Sequence, residues 1–239
     1  MPRSAPKSPP KPVPKRKSGG SGARAALLLG SVLLAWTFWH SPALVPLRVL
    51  VVTLHELGHA TATVLTGGHV LRMSVHLDEG GETVSQGGVA FLILSGGYLG
   101  SLLSGLGILA LARRPGNGRL IVGLLGLVLI AAAVLWFRPL ASFGFLYATI
   151  AGAVLVGLGA VAPPWLMDGF ARFLGVFSVM YALFDIQDDV FRGDWWRGGG
   201  GASDAQHLAQ LTLIPAPVWG VAWILAGLGA LWAARRWIV

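Results

Sequence analysis

"VVTLHELGHATATVLTGG", residues 51–68, sets two histidines and a glutamate inside an otherwise apolar stretch. Val49 to Val52 on one side and Val64-Leu65 on the other read as one helix, about 47–66, that stops at Gly67-Gly68. Charged groups at the centre of a lipid-embedded helix cost about 2.5–3.5 kcal/mol on insertion scales, and polar or ionisable ones usually mark functional sites. Four residues turn an α-helix through about 400°, so His55 and His59 share a face about 6 Å apart along the axis. Two imidazoles at that spacing can hold one Zn²⁺, and Glu56 stands beside them within reach of its water.

The rest of the chain agrees with a membrane setting. Its 239 residues are 54% hydrophobic and only 12% charged, about half the charge of an ordinary soluble domain. Mean hydropathy is +0.69. There is no cysteine, which excludes disulfides, thiolate metal sites and cysteine nucleophiles. Any metal must be held by histidine and carboxylate.

A net charge of +8 raises nucleic acid as a partner, but the distribution argues against it. Seven of the eighteen Lys and Arg residues fall in the first 24 positions, "MPRSAPKSPPKPVPKRKSGGSGAR". That segment is rich in Pro, Ser and Gly without apolar periodicity, so it is expected to be a disordered tail. It directly precedes the first apolar run, as a cytoplasmic N-terminus in a multi-pass protein of the cell membrane does.

The remainder, 25–239, reads as one membrane-embedded, all-α domain. Apolar runs lie at about 25–40, 47–66, 89–112, 120–137, 140–162 and 208–234. A further one, "FLGVFSVMYALF" at 173–184, counts as a span only if Arg172 and Asp185 snorkel or face protein. The bundle therefore has six or seven transmembrane helices. Between the second and third runs, Leu71, Met73, Val75 and Leu77 alternate with polar residues, "DEGG" signals a turn and "ETVSQ" can return. A β-hairpin at about 69–86, on the membrane surface, is expected. In "SGGYLGSLLSGLG" small residues recur every fourth position, as Gly96, Gly100 and Ser104 and as Gly97, Ser101 and Gly105, which suits close helix packing.

The strings "TLHELGHATATVLTGG", "LSGGYLG", "YALFDIQDD" and "SDAQHLAQLTLIP" together resemble the site-2 protease group of membrane zinc metallopeptidases, in its B-like branch. The likeness spans about residues 50–225, and His-Glu-Leu-Gly-His-Ala is its most specific part. It implies an intramembrane zinc metalloendopeptidase acting on a membrane protein or peptide. By that resemblance His55 and His59 are zinc ligands and Glu56 is the catalytic acid/base.

The third ligand stays open between carboxylates. Site-2 proteases supply an Asp from an Asn-x-x-Pro…Leu-Asp-Gly motif; the nearest string is "APPWLMDG", where Asp168-Gly169 fits but Ala160 replaces the Asn. Asp185 ends an apolar run, with Asp188 and Asp189 following on nearly the same face. Asp204 opens a helix that Ser203 or Asp204 itself would cap. Since a buried carboxylate needs a cation more than an exposed cap does, Asp185 comes first and Asp204 second, the other orienting a ligand histidine. His40, His69, His76 and His207 are isolated and read as interfacial or solvated, and Trp195-Trp196 as an interfacial anchor beside a flexible loop. A transport-type metal-binding protein would need polar residues along a continuous path, which most spans lack. A scaffold retaining the site without turnover is the other alternative.

Overall fold

The computed structural model describes residues 21–39, 41–187, 190 and 203–238. The tail at 1–20, His40, Asp188, Asp189 and the Trp195-Trp196 loop lie outside the described residues. In chain order the elements are α1 (Ser21–Thr37), a 3-10 turn (Pro42–Leu44), α2 (Val45–Leu65), β1 (His69–Val75) and β2 (Gly81–Gln86). Then follow α3 (Ala90–Leu111), α4 (Gly118–Trp136), α5 (Phe143–Val161), α6 (Pro164–Ile186), α7 (Asp204–Thr212) and α8 (Ala216–Ile238). The helix α1 begins four residues inside the segment read as tail.

Six helices among the described residues are long and apolar enough to cross a membrane: α2 with its leading turn, α3, α4, α5, α6 and α8 to Ala233. The protein is a multi-pass membrane protein. Six agrees with the expected range, but the membership differs from the apolar runs. The 17-residue α1 is not among the six. The short run at 173–184 is part of the 23-residue α6, because both flanking charges find protein partners. Arg172 donates to the Ala112 carbonyl at 3.1 Å, and Asp185 Oδ2 stands 3.5 Å from His55 Nδ1. The run read as 208–234 is two helices. Leu213 closes α7 in the left-handed region at φ 61°, and Pro215, which has no N–H to donate and disfavours helix before it, separates α8.

Side-chain size sets the spacing of the helices. A Cβ on Gly96 would lie 2.8 Å from the Gly58 carbonyl oxygen, and one on Gly100 would lie 2.6 Å from Gly58 Cα. Hence α3 runs in contact with α2, as small residues permit. Farther along, Gly105 meets Gly175 of α6, where Ser178 donates to the Ser101 carbonyl at 2.8 Å. Gly126 and Gly152 do the same for α4 and α5.

The hairpin pairs antiparallel from His69 opposite Gln86 to Val75 opposite Gly81, with a bulge between Val70 and Arg72. That bulge corrects the expected alternation. Leu71 is the extra residue and is 55% exposed, and Leu77 lies past the strand at 63%, whereas Met73 and Val75 are fully buried. The hairpin runs alongside α2, with Glu79 on Arg48, Thr83 on Glu56 and Ser85 on Thr63. The outer edge of β1 is covered, since Met73 bridges Phe137 and its carbonyl accepts from Arg138 N at 3.3 Å.

Candidate metal centre

One face of α2 carries the motif, and the elements around it determine what each side chain can do. His55, Glu56 and His59 bring their donor atoms within 4.8 Å of one another. The α3 side of the site is Gly97: a Cβ there would collide with Nε2 of both His55 and His59. The next residue, Tyr98, is buried and meets the His55 ring edge-on, with centroids 4.8 Å apart.

Each histidine has its other nitrogen facing an oxygen. Nδ1 of His59 lies 2.7 Å from the Ile93 carbonyl. A carbonyl only accepts, so that nitrogen carries the hydrogen and Nε2 keeps its lone pair in the neutral ring. Nδ1 of His55 is buried without a hydrogen bond among the described residues, and Asp185 Oδ2 stands 3.5 Å from it. A carboxylate or carbonyl behind a histidine is the usual way of aiming a ligand imidazole.

Both free nitrogens point at the same atom. Asp204 Oδ2 lies 3.0 Å from His55 Nε2 and 3.1 Å from His59 Nε2. The placement follows from local structure. Ser203, not Asp204, caps α7, accepting from Gln206 N while the Gln206 side chain accepts from Ser203 N. Asp204 is thereby released from capping and turns into the bundle. Burial alone would raise its pKa, but His59 and His55 beside it outweigh that and hold the carboxyl below its usual range.

Glu56 is gripped from the hairpin side. Thr83 donates to its Oε2 at 2.6 Å, and Gly81 leaves no room for a side chain against the carboxylate. A cavity of about 980 Å³ opens over these groups, lined among others by Val52, Glu56, Thr83, Asp185, Asp204 and His207.

A tetrahedral ion with bonds near 2.0–2.1 Å holds neighbouring donors about 3.3 Å apart. The separations of 3.0 and 3.1 Å from Asp204 to the two imidazoles are close to that, and two nitrogens plus one carboxylate suit a divalent ion. The residues therefore fit a metal. The Asp185 side chain is 23% exposed against 18% for Asp204. It stands behind His55, not between the two histidines. Asp168 stands elsewhere, at the α3–α4 corner, where its oxygens accept from Gly116 N at 2.7 Å and Gly118 N at 2.8 Å. His69 and His76 are exposed on the hairpin, and His207 is exposed at the cavity lining.

Sequence reasoning missed the Ile93 carbonyl, Thr83, Gly97 and Tyr98 as parts of the site. Gly97 was visible in a row of small residues, but as packing; a backbone carbonyl carries no sequence signal. The family model described as Peptidase M50B-like matches residues 28–234. No curated protein and no solved structure matches the chain.

Proposed function

The chain belongs to the Peptidase M50B-like family, and from that premise we propose that it is an intramembrane zinc metalloendopeptidase of site-2 protease type. One observation carries the reading. Nε2 of His55 and His59 converge on Asp204 Oδ2 with Glu56 alongside, in a cavity flanked by apolar helices. In this reading His55, His59 and Asp204 hold the ion, Asp185 and the Ile93 carbonyl aim the two imidazoles, and Glu56 is the acid/base. When bound, zinc supplies Lewis-acid polarisation of the scissile carbonyl and brings the pKa of water to about 7.

The chain's own residues do the rest. Glu56 takes the proton of the attacking water and returns one to the leaving amine, with Thr83 steadying one carboxylate oxygen. The substrate is a transmembrane or juxtamembrane segment in extended form, because a helical peptide bond is poorly exposed to attack. Such a strand can add to β2, whose residues Gly81 to Thr83 line the cavity. The basic tail supports a cytoplasmic N-terminus in the cell membrane.

The test pairs wild type with Glu56→Gln, each purified and reconstituted with tagged single-span membrane proteins. Wild type is expected to carry about one zinc and to yield fragments by mass spectrometry. Glu56→Gln should keep the zinc and lose about 10²–10⁴-fold in cleavage rate. Equal fragments from both proteins would remove Glu56 from the chemistry. Intact zinc with no fragment from either would favour a scaffold that retains the site.

A further inference from the structure

The hairpin tip carries a charge pair that the metal centre does not use. Arg48 Nε lies 2.7 Å from Glu79 Oε1, with side chains only 11% and 27% exposed. The same guanidinium donates to the Trp39 carbonyl, just past α1. Trp39 in turn packs edge-on against Phe184, with centroids 4.6 Å apart, and Phe184 precedes Asp185 in α6.

The backbone at the tip points to a specific role for Glu79. It adopts φ +69°, a left-handed conformation that disfavours a side chain. Gly80 and Gly81 follow immediately and would tolerate it freely, yet the glutamate occupies the position and reaches Arg48. The turn's backbone is closed by Glu79 N donating to the His76 carbonyl at 3.3 Å and His76 N donating to the Gly80 carbonyl at 2.8 Å, and from that fixed turn the Glu79 side chain reaches the Arg48 guanidinium.

Position along α2 shows what the pair controls. Arg48, Val52 and Glu56 repeat every four residues and so share a face. The hairpin crosses that face, with Glu79 on Arg48 and with Gly81 and Thr83 on Glu56. Its other end is tied by Thr63 to Ser85 at 2.8 Å and by Val89 N to Thr66 at 3.0 Å. Between the two ties lies the stretch that touches Glu56.

We propose that the Arg48–Glu79 pair is a latch that seats the hairpin over the cavity and so positions Thr83 against Glu56. Both are positioning residues; neither touches the reacting atoms. The consequence for catalysis rests on the metallopeptidase reading above, whereas the closure itself does not.

The chain lacks cysteine, so a single Val52→Cys reports on the cavity unambiguously. Purified full-length protein in detergent is labelled with a charged maleimide, with zinc content measured on the same samples. In the otherwise native chain labelling should be slow. Adding Glu79→Gln or Arg48→Gln should speed it about tenfold, the scale of one charge-assisted hydrogen bond, with zinc content unchanged. Arg48→Lys keeps the cation and should stay near the native rate. Equal labelling in all variants, fast or slow, overturns the latch. Faster labelling accompanied by zinc loss overturns it too, since the pair would then hold the fold. Labelling as expected in a native chain that carries no zinc keeps the latch and sinks the metallopeptidase reading. Zinc and cleavage with equal labelling do the reverse.

Discussion

Asp168 and Asp204 both stand near the start of a helix that follows a non-helical link, and in sequence they look alike. Their surroundings separate them. At the α3–α4 corner both Asp168 oxygens are taken by backbone N–H groups of Gly116 and Gly118, and the carboxylate pins a turn. At the start of α7, Ser203 does the capping, and Asp204 Oδ2 instead sits between two imidazole nitrogens. A carboxylate satisfied by backbone amides is structural cement. One shared by two histidines whose far nitrogens already face other acceptors can hold a cation with them. The partner, not the residue type or its place in a helix, decides the role.

That contrast can be broken by substitution at each corner. The largest effect is expected from Asp204→Asn, because a neutral amide is a far poorer zinc ligand than a carboxylate. Its zinc affinity, by competition with a chromogenic chelator, should fall by more than the roughly 10–100-fold range of residues that only orient a ligand. Helix α7 should survive, as Ser203 keeps the cap; retained affinity would move the ligand role elsewhere.

Asp185→Asn sharpens the comparison from inside the site. As the group behind His55 Nδ1 it should cost about 10–100-fold in zinc affinity, clearly less than Asp204→Asn on the same assay. The opposite order would return Asp185 to the direct ligand position. The smallest effect on the metal belongs to Asp168→Asn, which should leave zinc binding unchanged. It neutralises one hydrogen bond and abolishes the other, because an amide nitrogen cannot accept, each being worth about 1.5–3 kcal/mol when charged, so thermal unfolding should shift down instead. Loss of zinc from this variant would collapse the distinction between the corners.

Much of the architecture was legible before any coordinates. The runs at 47–66, 89–112, 120–137 and 140–162 correspond to α2, α3, α4 and α5 within a few residues, since a bilayer imposes length and apolarity on each span locally. The hairpin was legible from its turn and period. What misled were features whose meaning depends on neighbours. The bulge at Leu71 is set by register against β2. The status of 173–184 turns on Arg172 reaching Ala112 across to α3.

The same division runs through the site. His55, Glu56 and His59 lie within one and a half turns of a single helix, so their shared face and their capacity for a metal follow from helical geometry alone. Sequence by itself thus determined the fold class, the multi-pass character and the His55-Glu56-His59 group that could hold a metal. Asp204 is 149 residues from His55 in the chain, and several carboxylates were eligible on burial and spacing. Only the tertiary structure decided among their positions, by packing α7 against α3 so that Asp204 reaches His55 and His59 while Ser203 caps the helix. It likewise decided which nitrogen of each histidine is free, because that is set by the Ile93 carbonyl and Asp185. The Ile93 contact depends on how closely the glycines at 58, 96, 97 and 100 let α2 and α3 approach, and local periodicity contains no measure of that distance.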